Sequence, residues 1–305
     1  MVAGLSGTVL ERDGSSYRVA TVAGIVRAVL RGKAKRGMPH VVVGDRVQLD
    51  AGAGREENEI LGIIGVDQRR SLLARRNPEG RGTRPVAANV DQVFVVTATR
   101  DPAPIPQLLD RLLVVAEANS IPASVILNKV DLDPGPMIVE RFLGAGYEVL
   151  PTSVLTGQGL PLLLERLQNR VSVVTGASGT GKSSLLNALQ PGLALRTGTI
   201  SRKVRRGTNT TVSAVMIPLE GGGFIVDTPG FSEVGLWGLE PAELEGFFPE
   251  FRPWLGHCRY GDCRHVREPG CAITAAIEEG RINPDRLASY RVLLAELSAL
   301  PRAWE

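Results

Sequence analysis

Val171-Ser-Val-Val-Thr-Gly-Ala-Ser-Gly-Thr-Gly-Lys-Ser-Ser-Leu-Leu-Asn-Ala-Leu189 decides how the rest of the chain is read. A β-branched apolar run, Val171 to Thr175, stops at Gly176, and a helix-like run starts at about Gly181. Between them lies Gly176-x-x-x-x-Gly181-Lys182-Ser183, the phosphate-loop pattern. Glycines let backbone N–H groups turn inward toward a polyphosphate, and the following helix presents its positive end to the same anion. Lys182 can reach the β- and γ-phosphates, and the Ser183 hydroxyl can ligate Mg²⁺. An ordinary Gly-rich turn is the bland reading, and the complete residue set in a strand–loop–helix context argues against it. The expected nucleotide contacts here are Gly176, Ala177, Ser178, Gly179, Thr180, Gly181, Lys182, Ser183 and Ser184.

Upstream, Asn128-Lys129-Val130-Asp131 closes the apolar run Ser124–Leu127, a carboxyl-end-of-strand position where open α/β sheets bind ligands. An aspartate here can accept hydrogen bonds from the guanine ring N–H and exocyclic amine, donors that adenine does not pair at that edge. Asn128 can pin the base and the Lys129 stem can lie along its face. Asn-Lys-x-Asp alone is weak evidence. After a strand, in a chain with a phosphate loop, it reads as guanine recognition. Thr152-Ser153, after another strand, is a plausible base-contacting loop. Asp227-Thr-Pro-Gly230 follows the apolar run Phe224–Val226; Asp227 would hold Mg²⁺ through water and the Gly230 N–H would sense the γ-phosphate. Thr-Pro-Gly is also turn chemistry, and only the other two motifs lift it above that. Thr210 or Thr211, in a basic stretch, is the expected switch threonine.

The order of these motifs is itself informative. Most GTPases run phosphate loop, Asp-x-x-Gly, then Asn-Lys-x-Asp; here Asn-Lys-x-Asp comes first. A sheet fixed in space can be threaded from a different strand, so the domain reads as a circularly permuted GTPase. Strand candidates Val93–Thr97, Ser124–Leu127, Glu148–Leu150 and Val171–Thr175 alternate with helices near Ile105–Ala118, Met137–Leu143 and Leu160–Leu167, the rhythm of a doubly wound sheet.

Residues 1–67 read instead as short strands: Gly7–Leu10, Tyr17–Val22, Ile25–Leu30, Arg46–Leu49 and Ile60–Val66, a small barrel of the OB kind. Residues 1–90 carry 15 Lys/Arg against 9 Asp/Glu, a clustering that suits a polyanion, most plausibly nucleic acid. Residues 68–90, rich in Arg, Gly and Pro, read as a linker or exposed arm.

All three cysteines fall in Cys258-x4-Cys263-x-His265-x5-Cys271. A cytoplasmic protein has little use for disulfides, and three thiolates with one imidazole make a closed, structural Zn²⁺ site. His257 is a less favoured rival ligand. The N-terminus shows no signal-peptide pattern, and no window approaches the roughly 20 apolar residues of a membrane helix. A cytoplasmic protein without a membrane partner is expected, and nothing in the sequence suggests an oligomer interface, so a monomer. The expected architecture is an OB-fold barrel (1–70), a permuted α/β phosphate-loop GTPase domain (71–235) and a zinc-binding, mostly α domain (236–305).

Together these residues resemble the ribosome small subunit-dependent GTPase A (RsgA, or YjeQ) family. The resemblance covers nearly the whole chain: the basic OB-like domain, the permuted motif order, Asp227-Thr-Pro-Gly-Phe231 and the Cys/Cys/His/Cys unit. It implies GTP hydrolysis stimulated by the small ribosomal subunit, late in that subunit's maturation, with the barrel and zinc domains gripping rRNA. It also implies that Cys258, Cys263, His265 and Cys271 are the zinc ligands. Arg31, Lys33, Lys35, Arg36, Arg202, Lys203, Arg205 and Arg206 are the candidate RNA contacts. One departure matters. The family typically has Gly-x-His-Thr-Thr in the switch, whereas this chain has Gly207-Thr-Asn209-Thr210-Thr211, and an amide can orient a water but is a poor general base. Phe231 after Gly230 also leaves no glutamine to position the attacking water. Slow intrinsic turnover is therefore expected, with RNA or a reordered switch completing the site. Two other readings stay open: a zinc-containing RNA-binding protein with a largely inert nucleotide site, and an ATPase with Asp131 off the base.

Overall fold

The alternation of apolar residues in the first 66 positions closes into a barrel. The structure, a computed structural model, describes residues 5–31, 38–50, 60–76, 83–193, 214–228 and 239–299. Strands β1 (Leu5–Asp13), β2 (Ser16–Thr21), β3 (Gly24–Leu30), β4 (Arg46–Asp50) and β5 (Leu61–Val66) pair in the closed order β1-β2-β3-β5-β4. The β3–β5 pair is parallel and the others are antiparallel, as an OB-fold requires. Inward positions Val9, Tyr17, Val19, Val47, Leu49 and Ile63 fill the interior. Closure pairs the outer strands with each other, which removes the free edges an open sheet would expose.

The stretch after the barrel corrects the expected linker. It forms a hairpin of β6 (Leu72–Arg76) and β7 (Thr83–Ala88), paired antiparallel. Its ends are tied down: the Ala88 N–H donates to Val43 O at 2.8 Å, and the Ala74 N–H donates to Asn119 Oδ1 at 3.0 Å. Leu73 is fully buried. The arginine and glycine content suggested exposure because the anchoring partners lie far away in sequence. Arg69, at the base of this segment, clamps fully buried Asp45 of the barrel with two bonds of 2.7 and 2.9 Å.

The central sheet follows the apolar runs. Strands β8 (Gln92–Ala98), β9 (Ala123–Asn128), β10 (Glu148–Thr152), β11 (Val171–Gly176), β12 (Val215–Pro218) and β13 (Phe224–Asp227) pair in the order β10-β9-β8-β11-β13-β12. The first five in that order are mutually parallel, and β12 is an antiparallel edge. Successive side chains of a strand face opposite sides, and here the two sides have different partners. Val93, Val95, Val125, Val173 and Val226 face one core with helix α1 (Pro106–Ala118) and Phe142 of α2 (Pro136–Gly144). Phe94, Val96, Ile126 and Ile225 face the other, with α3 (Leu160–Leu167) and α4 (Lys182–Leu189). The sheet is doubly wound, buried on both faces, so its strands read as continuous apolar runs.

Residues 239–299 pack on the α1 face. They comprise 3-10 turns Leu244–Phe247 and Pro249–Trp254, then α5 (Ala272–Glu278) and α6 (Pro284–Ala299). Phe248, Phe251 and Tyr290 join the same apolar cluster as Leu109, Leu112 and Leu113 of α1. Leu10 and Val43 of the barrel enter it too, beside Met216 of edge strand β12. Among the described residues no helix is long and apolar enough to cross a membrane.

At the centre of the α1–α6 contact lies an ionic network removed from water. Asp110 is 0 % exposed and accepts from Arg286 at 2.5 Å through Oδ1 and from Arg141 at 2.5 Å through Oδ2. Arg286, also 0 % exposed, grips both oxygens of Glu250 at 2.5 and 3.1 Å, with its guanidinium 4.6 Å from the Phe248 ring centroid. Burial works against the charge on Arg286, but Asp110 and Glu250 outweigh it and raise its pKa. Removing one member of such a network leaves uncompensated buried charge, which costs about 3–5 kcal/mol, against under about 1 kcal/mol for an exposed pair. Arg286→Ala is accordingly expected to lower unfolding stability by about 3–5 kcal/mol in denaturant titration, whereas Arg18→Ala, which breaks the exposed Arg18–Glu11 pair, shifts it little.

Candidate nucleotide site and metal cluster

Five parallel strands put five carboxyl ends on one edge of the sheet, and the candidate nucleotide residues lie there. Asn128 ends β9, Thr152 ends β10, Gly176 ends β11 and Asp227 ends β13. Gly176 (φ +142°) is the point where the chain leaves the sheet, and a Cβ there would stand 2.1 Å from Val96 O. Only glycine fits that approach.

Asn128 joins the base side to the phosphate side. Its Nδ2 donates to Thr180 O at 2.9 Å, and its Oδ1 accepts from the Thr152 hydroxyl at 3.2 Å, all in a buried setting. Gly181 (φ +91°) makes room, since a Cβ there would lie 2.3 Å from Asn128 Nδ2. Lys129 Nζ donates to Gly179 O at 3.1 Å and to Asp101 O, so its stem runs along the loop. Ser153 donates to Asp131 Oδ1 at 2.5 Å and accepts the Thr156 N–H at 3.2 Å, which fixes how the exposed Asp131 carboxylate is presented. Val130 donates its N–H to Thr152 O at 3.2 Å, zipping the two base-side loops together.

On the phosphate side, Lys182 arches over the loop and donates to Gly176 O at 2.9 Å and Ala177 O at 2.6 Å. Burial lowers its pKa and Asp227 pulls it back up, which places the Asp227 carboxylate within electrostatic reach of the loop lysine. Thr180 Oγ1 donates to Ala177 O at 2.9 Å and tightens the turn. Ser178, Gly179, Ser183 and Ser184 are exposed at the helix start, open to a ligand. The structure therefore gathers Asn128 to Asp131, Thr152, Ser153, Gly176 to Ser184 and Asp227 on one edge. Asn209, Thr210, Thr211, Gly230, Lys33, Lys35, Arg36, Arg202, Lys203, Arg205 and Arg206 lie outside the described residues. Arg31 is exposed on the barrel, its guanidinium bonded to Ile60 O at 2.8 Å.

Sequence reasoning missed the loop after β8. Thr99 Oγ1 donates to Lys129 O at 2.7 Å, Arg100 pairs with Asp133 at 2.8 Å, and Pro102 Cδ lies 3.3 Å from where a Cβ on Gly179 would be. The Gly135 N–H and then Arg100 lower the Asp133 pKa. This loop backs both Lys129 and the phosphate loop. The rule that carboxyl ends of parallel strands face ligands would have pointed to it.

The second constellation is Cys258, Cys263, His265 and Cys271, whose four donor atoms lie within 4.8 Å of one another. His265 Nδ1 is 3.6, 3.5 and 3.3 Å from the sulfurs of Cys258, Cys263 and Cys271. A tetrahedral zinc with ordinary Zn–S and Zn–N lengths gives a sulfur-to-nitrogen edge of about 3.5 Å. The donor set and its spacing fit that ion. His257 is exposed and outside the cluster, so it is not a fourth ligand here. Burial pushes the Cys263 thiol up to about 12. For Cys271 burial also works upward, but hydrogen bonds from Thr274 and His265 bring it down to about 7. Glu268 crosses the loop between the ligands and accepts the N–H groups of Arg264, Val266 and Arg267 at 2.9, 2.8 and 2.9 Å. Sequence reasoning missed it because its partners are backbone.

A family model described as RsgA GTPase matches residues 66–237. The chain is 46% identical to the small ribosomal subunit biogenesis GTPase RsgA of Gemmatimonas aurantiaca, covering 97% of this chain and 99% of that one. It is 40% identical to the protein of the same name from Moorella thermoacetica, covering 98% and 100%. Among solved structures it superposes on YjeQ from Thermotoga maritima with TM-score 0.78 at 33% identity, covering 97% and 99%. It superposes on YloQ, a circularly permuted GTPase, with TM-score 0.74 at 25% identity, covering 97% and 96%.

The Gly181 geometry gives a direct test. A methyl group there meets the Asn128 amide and forces a left-handed backbone on alanine, strain of about 1–3 kcal/mol. Gly181→Ala is expected to weaken guanine-nucleotide binding by about tenfold or more, measured with a fluorescent nucleotide, with far-ultraviolet circular dichroism unchanged.

Proposed function

The chain belongs to the RsgA family of circularly permuted GTPases, and from that membership we propose that it hydrolyses GTP on the small ribosomal subunit during that subunit's late maturation. The observation that carries this reading is the bridging of base loop to phosphate loop by Asn128. A single rigid cradle thereby has a guanine-reading carboxylate at one end and a phosphate-binding lysine at the other. The relatives' printed role in small-subunit biogenesis supplies the partner. Asp131, held by Ser153, accepts the guanine N–H groups, and Lys129 lies along the base. Residues 176–184 wrap the phosphates with backbone N–H groups, and Lys182 exchanges its carbonyl partners for phosphate oxygens. Ser183 and, through water, Asp227 would hold Mg²⁺, which would neutralise charge on the phosphates. Thr210 or Thr211 closes the switch, and the Gly230 N–H meets the γ-phosphate.

Hydrolysis needs a water aimed in line at the γ-phosphorus. Asn209 stands where relatives of this kind typically carry histidine, and its amide can hold a water without taking its proton. Turnover is then slow until the subunit completes the site, with Arg202, Lys203, Arg205 and Arg206 supplying the contact with rRNA. Arg31 on the barrel, Lys33, Lys35 and Arg36 next to it in sequence, and the zinc unit complete the grip. A monomer working in the cytoplasm fits this role. The zinc ion held by Cys258, Cys263, His265 and Cys271 is structural, because four protein ligands leave no open position.

GTP hydrolysis with and without isolated small subunits tests the reading. The native protein is expected to turn over slowly alone and several-fold or more faster with subunits. Lys182→Ala should lose about a hundredfold in stimulated rate, and Asn209→His should raise the unstimulated rate. Absence of stimulation would leave an RNA-binding protein with an inert nucleotide site, which Asn209 alone favours. For the metal, one zinc per chain is expected by elemental analysis. Since all three cysteines lie in the cluster, a thiol reagent should find them protected in the native protein and free after a strong chelator.

A further inference from the structure

The two ring nitrogens of His265 face different partners. Nδ1 points into the three sulfurs, and Nε2 lies 2.9 Å from Glu245 Oε2. Glu245 is not one of the four clustered residues. It comes from the 3-10 turn Leu244–Phe247, twenty residues before His265, and its neighbour Leu244 is fully buried in the cluster that includes α1. The His265 ring is itself 3 % exposed, flanked by Phe251 at 6.3 Å and Tyr290 at 6.0 Å between ring centroids. Its backbone is left-handed (φ +58°), and its carbonyl accepts Arg291 Nε at 3.0 Å.

We propose that Glu245 is a positioning residue for the metal: it accepts a hydrogen bond from the His265 Nε2–H and so leaves the Nδ1 lone pair facing the zinc. The inference rests on the zinc reading of the cluster given above. A neutral imidazole carries one N–H, and a carboxylate can only accept. With Glu245 at Nε2, the proton belongs on that nitrogen, and Nδ1 is left as the donor beside the sulfurs. The carboxylate also makes the imidazole a stronger base and fixes the ring plane, which is how a partner outside the ligand set tunes a metal site. An ion pair with protonated histidine is the alternative, but it would put a proton on Nδ1 amid three sulfurs that need a cation there. Because Glu245 rides on the turn that packs against α1, the same bond ties the zinc cluster to the nucleotide-binding domain.

The test uses the full chain with zinc affinity as the readout, measured by competition against a chelator of known affinity. Glu245→Ala is expected to lose about 10–100-fold in zinc affinity. Glu245→Gln, whose Oε1 still accepts the Nε2 proton, should fall between Ala and native. Glu278→Ala, an exposed carboxylate on α5, should match native. In the zinc-loaded native protein, ¹⁵N chemical shifts should show His265 protonated at Nε2 and metal-bound at Nδ1. Native affinity in Glu245→Ala overturns the proposal, and so does an equal loss in Glu278→Ala, which would mark general destabilisation. A native protein that holds no zinc at all removes the cluster reading itself, and the proposal with it. Circular dichroism of the Glu245 variants at saturating zinc separates lost affinity from lost fold.

Discussion

Asp110 sits wholly out of water between two arginines, and that arrangement fixes how the C-terminal unit sits on the sheet. Taking such charges from water costs several kcal/mol per ion, and their attraction only offsets that cost, so the network adds little net stability over apolar packing. Its contribution is geometric. Arg286 binds one Asp110 oxygen and both of Glu250, while Arg141 takes the other Asp110 oxygen and reaches Ser289 Oγ at 2.9 Å. A register shift of one helical turn would strand a buried charge. Elements far apart in sequence therefore share a single docking geometry, with Phe142, Tyr147 and Phe248 packed around the guanidinium.

That geometry reaches the nucleotide edge through a short piece of chain. Arg141 belongs to α2, which begins five residues after Asp131, the carboxylate proposed to read the base. Between them Asp133 accepts the Gly135 N–H at 2.8 Å and pairs with Arg100, so the loop into α2 is tied at two points. On the other side, the barrel contacts edge strand β12 through Leu10, Val43 and Met216, and β12 follows the proposed switch threonines in sequence. A Cβ on Gly44 would stand 2.0 Å from Ala88 O and 3.2 Å from Met216 Cε, so the barrel can approach this closely only at a glycine. Both flanking units thus touch elements adjacent in sequence to the candidate nucleotide loops.

The sequence was most legible where chemistry demands a fixed spacing. The phosphate loop, Asn-Lys-x-Asp and the cysteine cluster each carry their geometry in a few adjacent residues. The barrel and sheet strands were legible because period-two alternation and continuous apolar runs report burial directly. What was hidden depends on partners distant in the chain. Hairpin β6–β7 looked like a linker because Arg69 meets Asp45, and Ala74 meets Asn119, only after folding. Asp110 and Arg286 are 176 residues apart and each reads locally as a surface charge on a helix. Glu245 likewise carries no local mark, since its partner is a side of an imidazole that the ligand pattern does not use.

The permutation has a physical consequence at the phosphate loop. Strand β11, which ends in that loop, is hydrogen-bonded to β8 on one side and β13 on the other. Those are the strands at which the chain enters the sheet after the barrel and hairpin, and leaves it toward the C-terminal unit. In the usual motif order the phosphate-loop strand opens the domain and Asn-Lys-x-Asp lies near its end. Threading the sheet from β8 attaches a folded unit to each neighbour of β11. The barrel and hairpin lead into β8, where the Gly176 turn abuts the Val96 carbonyl, and the C-terminal unit follows β13, which ends at Asp227. By linkage, a ligand that bound the proposed site at Gly176–Ser184 and Asp227 and favoured one placement of either unit would itself be bound more tightly in that placement. Connectivity alone produces this placement of a folded unit beside each neighbour of β11.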